Sequence, residues 1–170
     1  MNLNKNLVFL GMMGSGKSSI GNLVSKKLDL PFTDIDSLIV KNTGMNISEI
    51  FEKKGEDYFR KLEEKITLKC LKKTKSVVSL GGGGFINTKI REEILANHFS
   101  FWLNWDESIL IKRIKNSKKR PLAFKSTDKK LRELIKNRSK IYSNAQFKIN
   151  CNKLSKAEII IKIIKIYELN

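Results

Sequence analysis

The sequence predicts an α/β protein with a parallel sheet. Short apolar runs alternate with longer segments in which apolar residues recur at helical spacing, and this alternation is typical of repeated strand–helix units. Because strands buried under helices on both faces read as apolar runs, the pattern favours a sheet covered on both sides. The 170 residues are most simply one domain, residues 1–170.

Five strands and six helices follow from these patterns. The strands are predicted at residues 6–10, 32–35, 76–80, 99–103 and 147–150. The helices are predicted at residues 17–28, 47–71, 88–97, 107–115, 128–143 and 156–168. The last helix begins with Ser155-Lys156-Ala157-Glu158, a capping box in which the Ser and Glu side chains satisfy free backbone amides. Its apolar face is broad enough to pack on a sheet.

Residues 116–128 interrupt this regular pattern. The interval is polar and basic, contains proline, and has no clear helical or strand periodicity. Long connections without structure of their own are often functional loops. We therefore expect a mobile loop at residues 116–128.

The chain is strongly basic, with 34 Lys and Arg against 17 Asp and Glu and a net charge of +17. Such a charge can indicate nucleic-acid binding. However, the lysines are spread through nearly every helical segment, and no basic stripe is interleaved with aromatic residues. The pattern favours a solvated surface that attracts small anions, and we expect no nucleic-acid partner. A nucleic-acid-binding module stays open as an alternative, which salt-dependent binding to nucleic acid would support.

Membrane, disulfide and histidine-based functions have little support. No segment reaches the ~18 uninterrupted apolar residues of a membrane span, and the N-terminus has no long apolar core. Cys70 and Cys151 lie far apart without C-x-x-C spacing, and a single histidine, His98, disfavours a His-based triad or metal site. We expect a soluble cytoplasmic protein without a membrane partner, in which these three residues are structural.

The arginines are few and therefore informative. Where lysine is the default basic residue, an arginine is favoured for its planar, two-pronged guanidinium. The six arginines are Arg60, Arg91, Arg113, Arg120, Arg132 and Arg138.

A phosphate-binding loop follows the first predicted strand. Residues 11–18 match the pattern G-x-x-x-x-G-K-[ST], with a strand before them and a helix after them, which is the setting that this motif requires. The glycines let backbone amides turn inward, and the helix N-terminus adds partial positive charge, so phosphates are favoured there. Lys17 would reach the β and γ phosphates, and Ser18 would place its hydroxyl on Mg²⁺. The loop predicts a nucleotide site but does not name the acceptor.

Three further segments could bind that acceptor. After the second strand comes Asp34-Ile35-Asp36, and alternate residues of an extended segment point the same way. The two carboxylates could divide between Mg²⁺ and an acceptor hydroxyl, although helix capping by Asp36 or Ser37 is an equally good interpretation. Arg60 is the sole arginine in the first 90 residues, although a surface charge is an equally good interpretation of this residue taken singly. Four glycines, residues 81–84, close the third strand and permit close backbone approach to a ligand.

Taken together, these blocks resemble the shikimate kinase family along essentially the whole chain. The matching motifs are the glycine-rich loop, D-I-D, F-x-x-x-G-E-x-x-F-R-x-x-E, L-G-G-G, R-P-L at residues 120–122 and R-x-x-x-Y at residues 138–142. The resemblance implies a P-loop kinase fold of three α/β/α layers, like that of nucleoside-monophosphate kinases, with strand order 2-3-1-4-5. It implies transfer of the γ-phosphate of ATP to the 3-hydroxyl of shikimate.

The resemblance also implies roles for individual residues. Asp36 would contact the acceptor hydroxyl and take its proton, in a shikimate-binding region of about residues 34–63. Arg60 and Arg138 look like the clamp on the shikimate carboxylate, and Arg120 looks like the arginine of a mobile lid at residues 116–128. The implied ATP-binding residues are Gly14, Ser15, Gly16, Lys17, Ser18, Ser19, Arg113 and Arg120, with Ser18 and Asp34 at Mg²⁺; the implied shikimate-binding residues are Asp36, Arg60, Gly81, Gly82, Gly83 and Arg138.

Some positions depart from the family pattern. Ser19 stands where threonine is common, Gly84 is a fourth glycine, and residues 151–154 match the family's arginine-rich adenine-side loop poorly. A kinase of the same fold acting on gluconate or a nucleoside monophosphate is the main alternative, and ATP consumption with each acceptor would separate the two. We expect a monomer.

Overall fold

The computed structural model describes residues 5–116 and 126–170. Within these ranges the chain forms one five-stranded sheet in the order β2-β3-β1-β4-β5, and every neighbouring pair is parallel. The strands are β1 Leu7–Leu10, β2 Phe32–Asp34, β3 Val77–Ser79, β4 Phe99–Asn104 and β5 Phe147–Asn150. The predicted parallel α/β fold and its strand order are confirmed.

Eight α-helices and one short 3₁₀ helix surround the sheet within the described residues. They are α1 Lys17–Leu28, α2 Ile35–Thr43, α3 Ile47–Lys54, α4 Glu56–Leu71, the 3₁₀ helix Gly84–Ile86, α5 Thr88–Asn97, α6 Glu107–Lys115, α7 Asp128–Tyr142 and α8 Lys156–Glu168. Apart from α2 and the α3–α4 break, the predicted elements agree with these bounds to within one residue at each end. The capping box at Ser155 and Glu158 is confirmed.

The single helix predicted at residues 47–71 is wrong, because the chain breaks at Gly55. This residue has a φ of 84°, in the left-handed region that side chains disfavour. Its amide closes α3 by donating to the Phe51 carbonyl, and its own carbonyl accepts from the Phe59 amide at the start of α4. The glycine therefore separates two helices, and the spacing of apolar residues did not reveal this break.

Helix α2 was not predicted, and it changes the interpretation of Asp34-Ile35-Asp36. Asp34 is the N-cap of this helix, because its side chain accepts a hydrogen bond from the Ser37 amide at 2.9 Å. The prediction of Asp36 or Ser37 as the cap is therefore wrong, because the capping residue lies two or three positions earlier. Asp36 lies in the first helical turn, so the two carboxylates are not related by the alternation of an extended strand.

Two apolar clusters, one on each face of the sheet, hold the fold together. Along β1, Val8 and Leu10 belong to one cluster while Leu7 and Phe9 belong to the other, as expected when successive side chains point to opposite faces. The first cluster includes side chains of α2 to α7, and the second includes side chains of α1 and α8. Each fully buried large side chain contributes roughly 1.5–3 kcal/mol.

The residues expected to be structural are buried. Cys70 and Cys151 are free thiols inside the two clusters. His98 accepts a hydrogen bond from the Asn6 amide at its Nδ1, and burial lowers its pKa. In the described part of the chain, no helix combines the length and apolarity needed to cross a bilayer.

Candidate active site

A cleft of about 500 Å³ lies where the carboxyl ends of the parallel strands meet, which is the usual position of a ligand site in such a sheet. One wall is apolar and is formed by Met13, Ile47, Phe51, Phe59 and Leu134. The charged and hydroxyl side chains in the cleft include Ser18, Asp34, Asp36, Arg60, Glu63 and Arg138. The cleft therefore offers both cations and anions beside a surface that an apolar ring could cover.

The loop of residues 11–18 ends in the first turn of α1. Gly16, the N-cap of α1, has a φ of 89° and makes no side-chain capping bond, so the first amides of the helix point toward a ligand position. Lys17 is buried, and its Nζ donates to the Gly11 and Met12 carbonyls at 2.9 Å each. The main chain of the loop thus holds the lysine ammonium beside the helix N-terminus.

Ser18 and Asp34 join this loop to the end of β2. The Ser18 hydroxyl donates to Asp34 Oδ2 at 2.5 Å, while Asp34 Oδ1 accepts from the Ser37 amide. A hydroxyl and a carboxylate are oxygen ligands of the kind that Mg²⁺ prefers, and Mg²⁺ commonly completes its shell with phosphate oxygens and water. The chemistry of this pair therefore fits the cation that the resemblance implies.

Arg60 is fixed by two glutamates of its own helix. Its Nη1 donates to Glu63 Oε2 at 2.7 Å, and its Nε and Nη2 donate to Glu56 Oε1 at 3.2 and 3.1 Å. These residues lie three positions after and four positions before Arg60, the spacing that brings side chains together on one helix face. Burial alone would lower the pKa of Arg60, but the two ion pairs outweigh burial and raise it.

Glu63 is the most deeply buried charge of the site, with 1% of its surface exposed. Burial raises its pKa against the opposing attraction of Arg60, and the nearby Asp36 carboxylate raises it further. Its Oε1 has no hydrogen-bond partner among the described residues. A Cβ atom on Gly81 would lie 2.7 Å from this oxygen and 2.6 Å from Asp36 Oδ1, so both carboxylates lie against that glycine.

Arg138 reaches the same glycine segment from α7. Its Nη1 donates to the Gly82 carbonyl at 3.2 Å, and the buried Tyr142 hydroxyl donates to the same oxygen. Burial raises the pKa of Tyr142 to about 12, so this hydroxyl stays a donor at neutral pH. A Cβ atom on Gly83 would lie 2.9 Å from the guanidinium carbon of Arg60. The two guanidinium groups therefore lie against neighbouring glycines.

The α6 side of the loop has a different construction. The Arg113 guanidinium carbon lies 3.8 Å from the centre of the Trp105 ring, and the Trp105 indole donates to the Ser15 carbonyl at 2.9 Å. Asn152, in the segment that matches the family poorly, exchanges two hydrogen bonds of 2.7 Å with Asp106.

The structure brings most of the predicted site residues to one edge of the sheet. Of the predicted site residues, those that line the cleft are Ser18, Asp34, Asp36, Arg60, Gly82, Gly83 and Arg138. Gly81 is buried behind the cleft, Gly84 begins the 3₁₀ helix, and Arg113 lies beside the loop on the α6 side. Gly14, Ser15, Gly16, Lys17 and Ser19 belong to the loop and the start of α1. Arg120 and residues 117–125 of the expected lid lie outside the described residues.

Three residues of the site were given no role from the sequence. Glu56 and Glu63 carry a usable signal, because their spacing from Arg60 on a predicted helix implies ion pairs. Trp105 carries no such signal, because it meets Ser15 and Arg113 only through the tertiary fold.

Known proteins resemble this chain in both sequence and fold. The family model described as Shikimate kinase matches residues 13–168. A shikimate kinase from Thermodesulfovibrio yellowstonii is 38% identical over 165 residues, covering 96% of this chain and 95% of that protein. The crystal structure of a shikimate kinase from Aquifex aeolicus is 34% identical, with a TM-score of 0.85 and 96% coverage of each chain.

A shikimate kinase from Acinetobacter baumannii, solved in complex with shikimate, superposes even more completely. Its TM-score is 0.92 at 28% identity, and the match covers 99% of this chain and 96% of that one. The sequence relatives, the family model and the fold agree over nearly the full length. The chain therefore belongs to the shikimate kinase family.

Proposed function

We propose that this protein transfers the γ-phosphate of ATP to the 3-hydroxyl of shikimate, giving shikimate 3-phosphate and ADP. The observation that carries the proposal is that one cleft contains two arginines and Asp36 and is bordered by the phosphate-binding loop. Shikimate presents a carboxylate at one end of its ring and hydroxyls at the other, so these groups match the ligand from end to end.

Arg60 and Arg138 bind the shikimate carboxylate in this proposal. A planar guanidinium donates two parallel hydrogen bonds to a carboxylate, which a lysine ammonium does not do. Gly82 and Gly83 form the backbone wall beside the carboxylate, with Gly81 behind them, and the apolar wall covers one face of the ring. Binding at the far end of the acceptor leaves its 3-hydroxyl near Asp36.

Asp36 accepts the proton of the 3-hydroxyl as that oxygen attacks. A bond forms between the 3-oxygen and the γ-phosphorus, the bond from the γ-phosphorus to the bridging oxygen breaks, and ADP leaves with the electron pair. Phosphoryl transfer needs positioning and cancellation of charge more than covalent chemistry. Lys17, the amides of residues 14–19 and Arg120 supply positive charge at the phosphates.

We include Mg²⁺ in the proposal, with Ser18 and Asp34 as the residues that would hold it. When bound, the cation neutralises phosphate charge and orients the phosphates. Ser18 and Asp34 keep their oxygens together at the loop. The hydrogen bond between them connects the nucleotide side of the site to the acceptor side.

Arg113 contacts the nucleobase in this proposal, following the family resemblance. We also propose that the protein works as a monomer in the cytoplasm without a nucleic-acid partner. Among the described residues, large apolar side chains are exposed only at Tyr58, Ile161 and Leu169, and these do not lie on one helix face.

An ADP-release assay with a panel of acceptors tests the proposal. Purified protein with ATP and Mg²⁺ should release ADP rapidly with shikimate and only at background level with gluconate, nucleoside monophosphates or no acceptor. Faster release with gluconate or with a nucleoside monophosphate would assign the protein to another small acceptor and overturn the proposal.

A further inference from the structure

Trp105 connects the phosphate-binding loop to Arg113. Its indole donates to the Ser15 carbonyl at 2.9 Å, and its ring supports the Arg113 guanidinium at 3.8 Å. Arg113 itself reaches back to the Gly14 carbonyl at 3.4 Å. The indole, the guanidinium and two loop carbonyls therefore form one contiguous unit beside the loop.

The backbone on either side of Trp105 is also restrained. The indole packs against both apolar clusters. The next residue, Asp106, is bonded through its amide and its carboxylate to Asn152. Trp105 is thus a fixed surface, whereas Arg113 is a long, exposed side chain that needs support to keep one orientation.

The position of this unit relative to the acceptor cleft suggests what it contacts. The acceptor cleft lies on the side of the loop that faces α2 to α4, and Arg113 is absent from its lining. If the γ-phosphate faces the acceptor, the remainder of the nucleotide extends to the other side of the loop, where Arg113 and Trp105 lie. One face of the guanidinium is covered by the indole, and the other is turned toward solvent.

We propose that Trp105 is a positioning residue of the nucleotide site, which holds Arg113 flat so that its outer face stacks on the nucleobase of ATP. The proposal rests on the ATP-binding function proposed above. An arginine held over an indole gains cation–π attraction and does not have to be ordered when the nucleotide binds. Replacing Trp105 should therefore weaken binding of the nucleoside part of ATP. The affinities for the triphosphate part and for shikimate should not change.

The test measures equilibrium binding of ADP and of inorganic tripolyphosphate by calorimetry, without any acceptor. The proteins are wild type, W105F, W105L, R113L and the double variant W105L/R113L. We expect W105L and R113L each to weaken ADP binding about fivefold, whereas W105F, which keeps an aromatic face, changes it by less than about twofold. In the R113L background, W105L should add almost nothing, because its effect passes through Arg113. Binding of tripolyphosphate should be unchanged in all variants.

Steady-state kinetics add a second readout. W105L should raise the KM for ATP and leave the kcat and the KM for shikimate near wild type, which a general loss of stability would not do. The melting temperature of each variant shows that it is folded, and if W105L does not fold, unchanged ADP binding in R113L would still overturn the proposal.

Several results would overturn the proposal. Unchanged ADP binding in R113L or W105L would do so, as would additive effects in the double variant. Equal weakening of ADP and tripolyphosphate would show that Trp105 acts through the Ser15 carbonyl and the loop. Because ADP binding needs no acceptor, failure to phosphorylate shikimate would refute the proposed reaction and leave this inference intact.

Discussion

The two halves of the site are held in place by different means. On the acceptor side, Arg60 is oriented by Glu56 and Glu63, and Asp36 and Glu63 lie together against Gly81. On the nucleotide side, Lys17 is bonded to two main-chain carbonyls and Arg113 rests on an indole. Ion pairs with glutamates therefore orient Arg60 on the acceptor side, whereas backbone carbonyls and an aromatic ring hold Lys17 and Arg113 on the nucleotide side.

This difference has a physical consequence. The ion pair of Arg60 with the buried Glu63 is costly to desolvate and depends on good geometry, so the acceptor half should respond to changes of charge, pH and small added volume. Backbone contacts do not titrate, so the nucleotide half should instead be sensitive to removal of the Lys17 ammonium or of the indole that supports Arg113. Each of the following experiments perturbs one half and compares the other.

Replacing Lys17 by methionine should have the largest effect. It removes the buried ammonium proposed to contact the transferred phosphate, and loss of one such group costs about 10²- to 10³-fold in kcat. Shikimate binding measured by calorimetry should stay within about twofold of wild type. A comparable loss of shikimate affinity would show that the two halves are not independent.

Arg60→Lys should mainly impair the acceptor half. Charge survives but the two-pronged geometry is lost, so the KM for shikimate should rise about tenfold while the KM for ATP changes little. Arg132→Lys is the matched control, because Arg132 forms an exposed ion pair with Glu107 outside the cleft. Unchanged shikimate kinetics in Arg60→Lys would remove Arg60 from the site.

Gly83→Ala should act through volume alone. The new methyl group would lie 2.9 Å from the guanidinium carbon of Arg60 and would displace the guanidinium, raising the KM for shikimate about fivefold. Gly84→Ala is the control, since its added methyl meets its neighbours only at 3.5 Å or more. Equal effects of the two substitutions on the KM would count against the fixed position of Arg60.

Glu63→Gln should reveal the cost of the buried carboxylate as a small, pH-dependent change in stability. The pKa of Glu63 is raised above its ordinary value of 4.5, first by burial. The folded protein therefore binds a proton more tightly than the unfolded chain. Wild type should lose stability relative to Glu63→Gln as the pH rises from about 4.5 through the raised pKa, by a few degrees in the melting temperature.

Glu64→Gln provides a control of opposite sign. Hydrogen bonds from Lys89 and Asn87 lower the pKa of the Glu64 carboxyl. Wild type should therefore gain stability relative to this variant as the pH rises toward 4.5 from below, and the gain should be small because the pair is exposed. Thermal melts from about pH 3 to 8 on the three proteins would show both trends. The same sign for both variants would contradict the environment described for Glu63.

The parts of the fold that the sequence predicted are those with local signals. The strands are apolar runs, and the loop at residues 11–18 has a pattern that requires a strand before it and a helix after it. Helix α2 was not predicted because it begins directly after β2 with no connecting turn. Its N-cap, Asp34, was interpreted as part of the strand. The helix break at Gly55 was not predicted because apolar residues recur at helical spacing on both sides of it.

The candidate site divides in the same way. Residues with a recognisable motif, such as Lys17 and Arg60, could be named in advance. The buried state of Glu63 and the hydrogen bond from Trp105 to the loop could not, because they depend on contacts between segments distant in sequence. For Trp105 and Ser15, those segments are 90 residues apart.

The central claim is that two guanidinium groups bind the carboxylate of the acceptor, and its most direct test compares shikimate with its uncharged methyl ester. The account predicts that wild type uses the ester with a kcat/KM lower by at least about 100-fold, because two charge-assisted contacts are lost. In Arg60→Lys, this preference for the free acid should shrink to about tenfold. Similar kcat/KM values for acid and ester in wild type would contradict the claim.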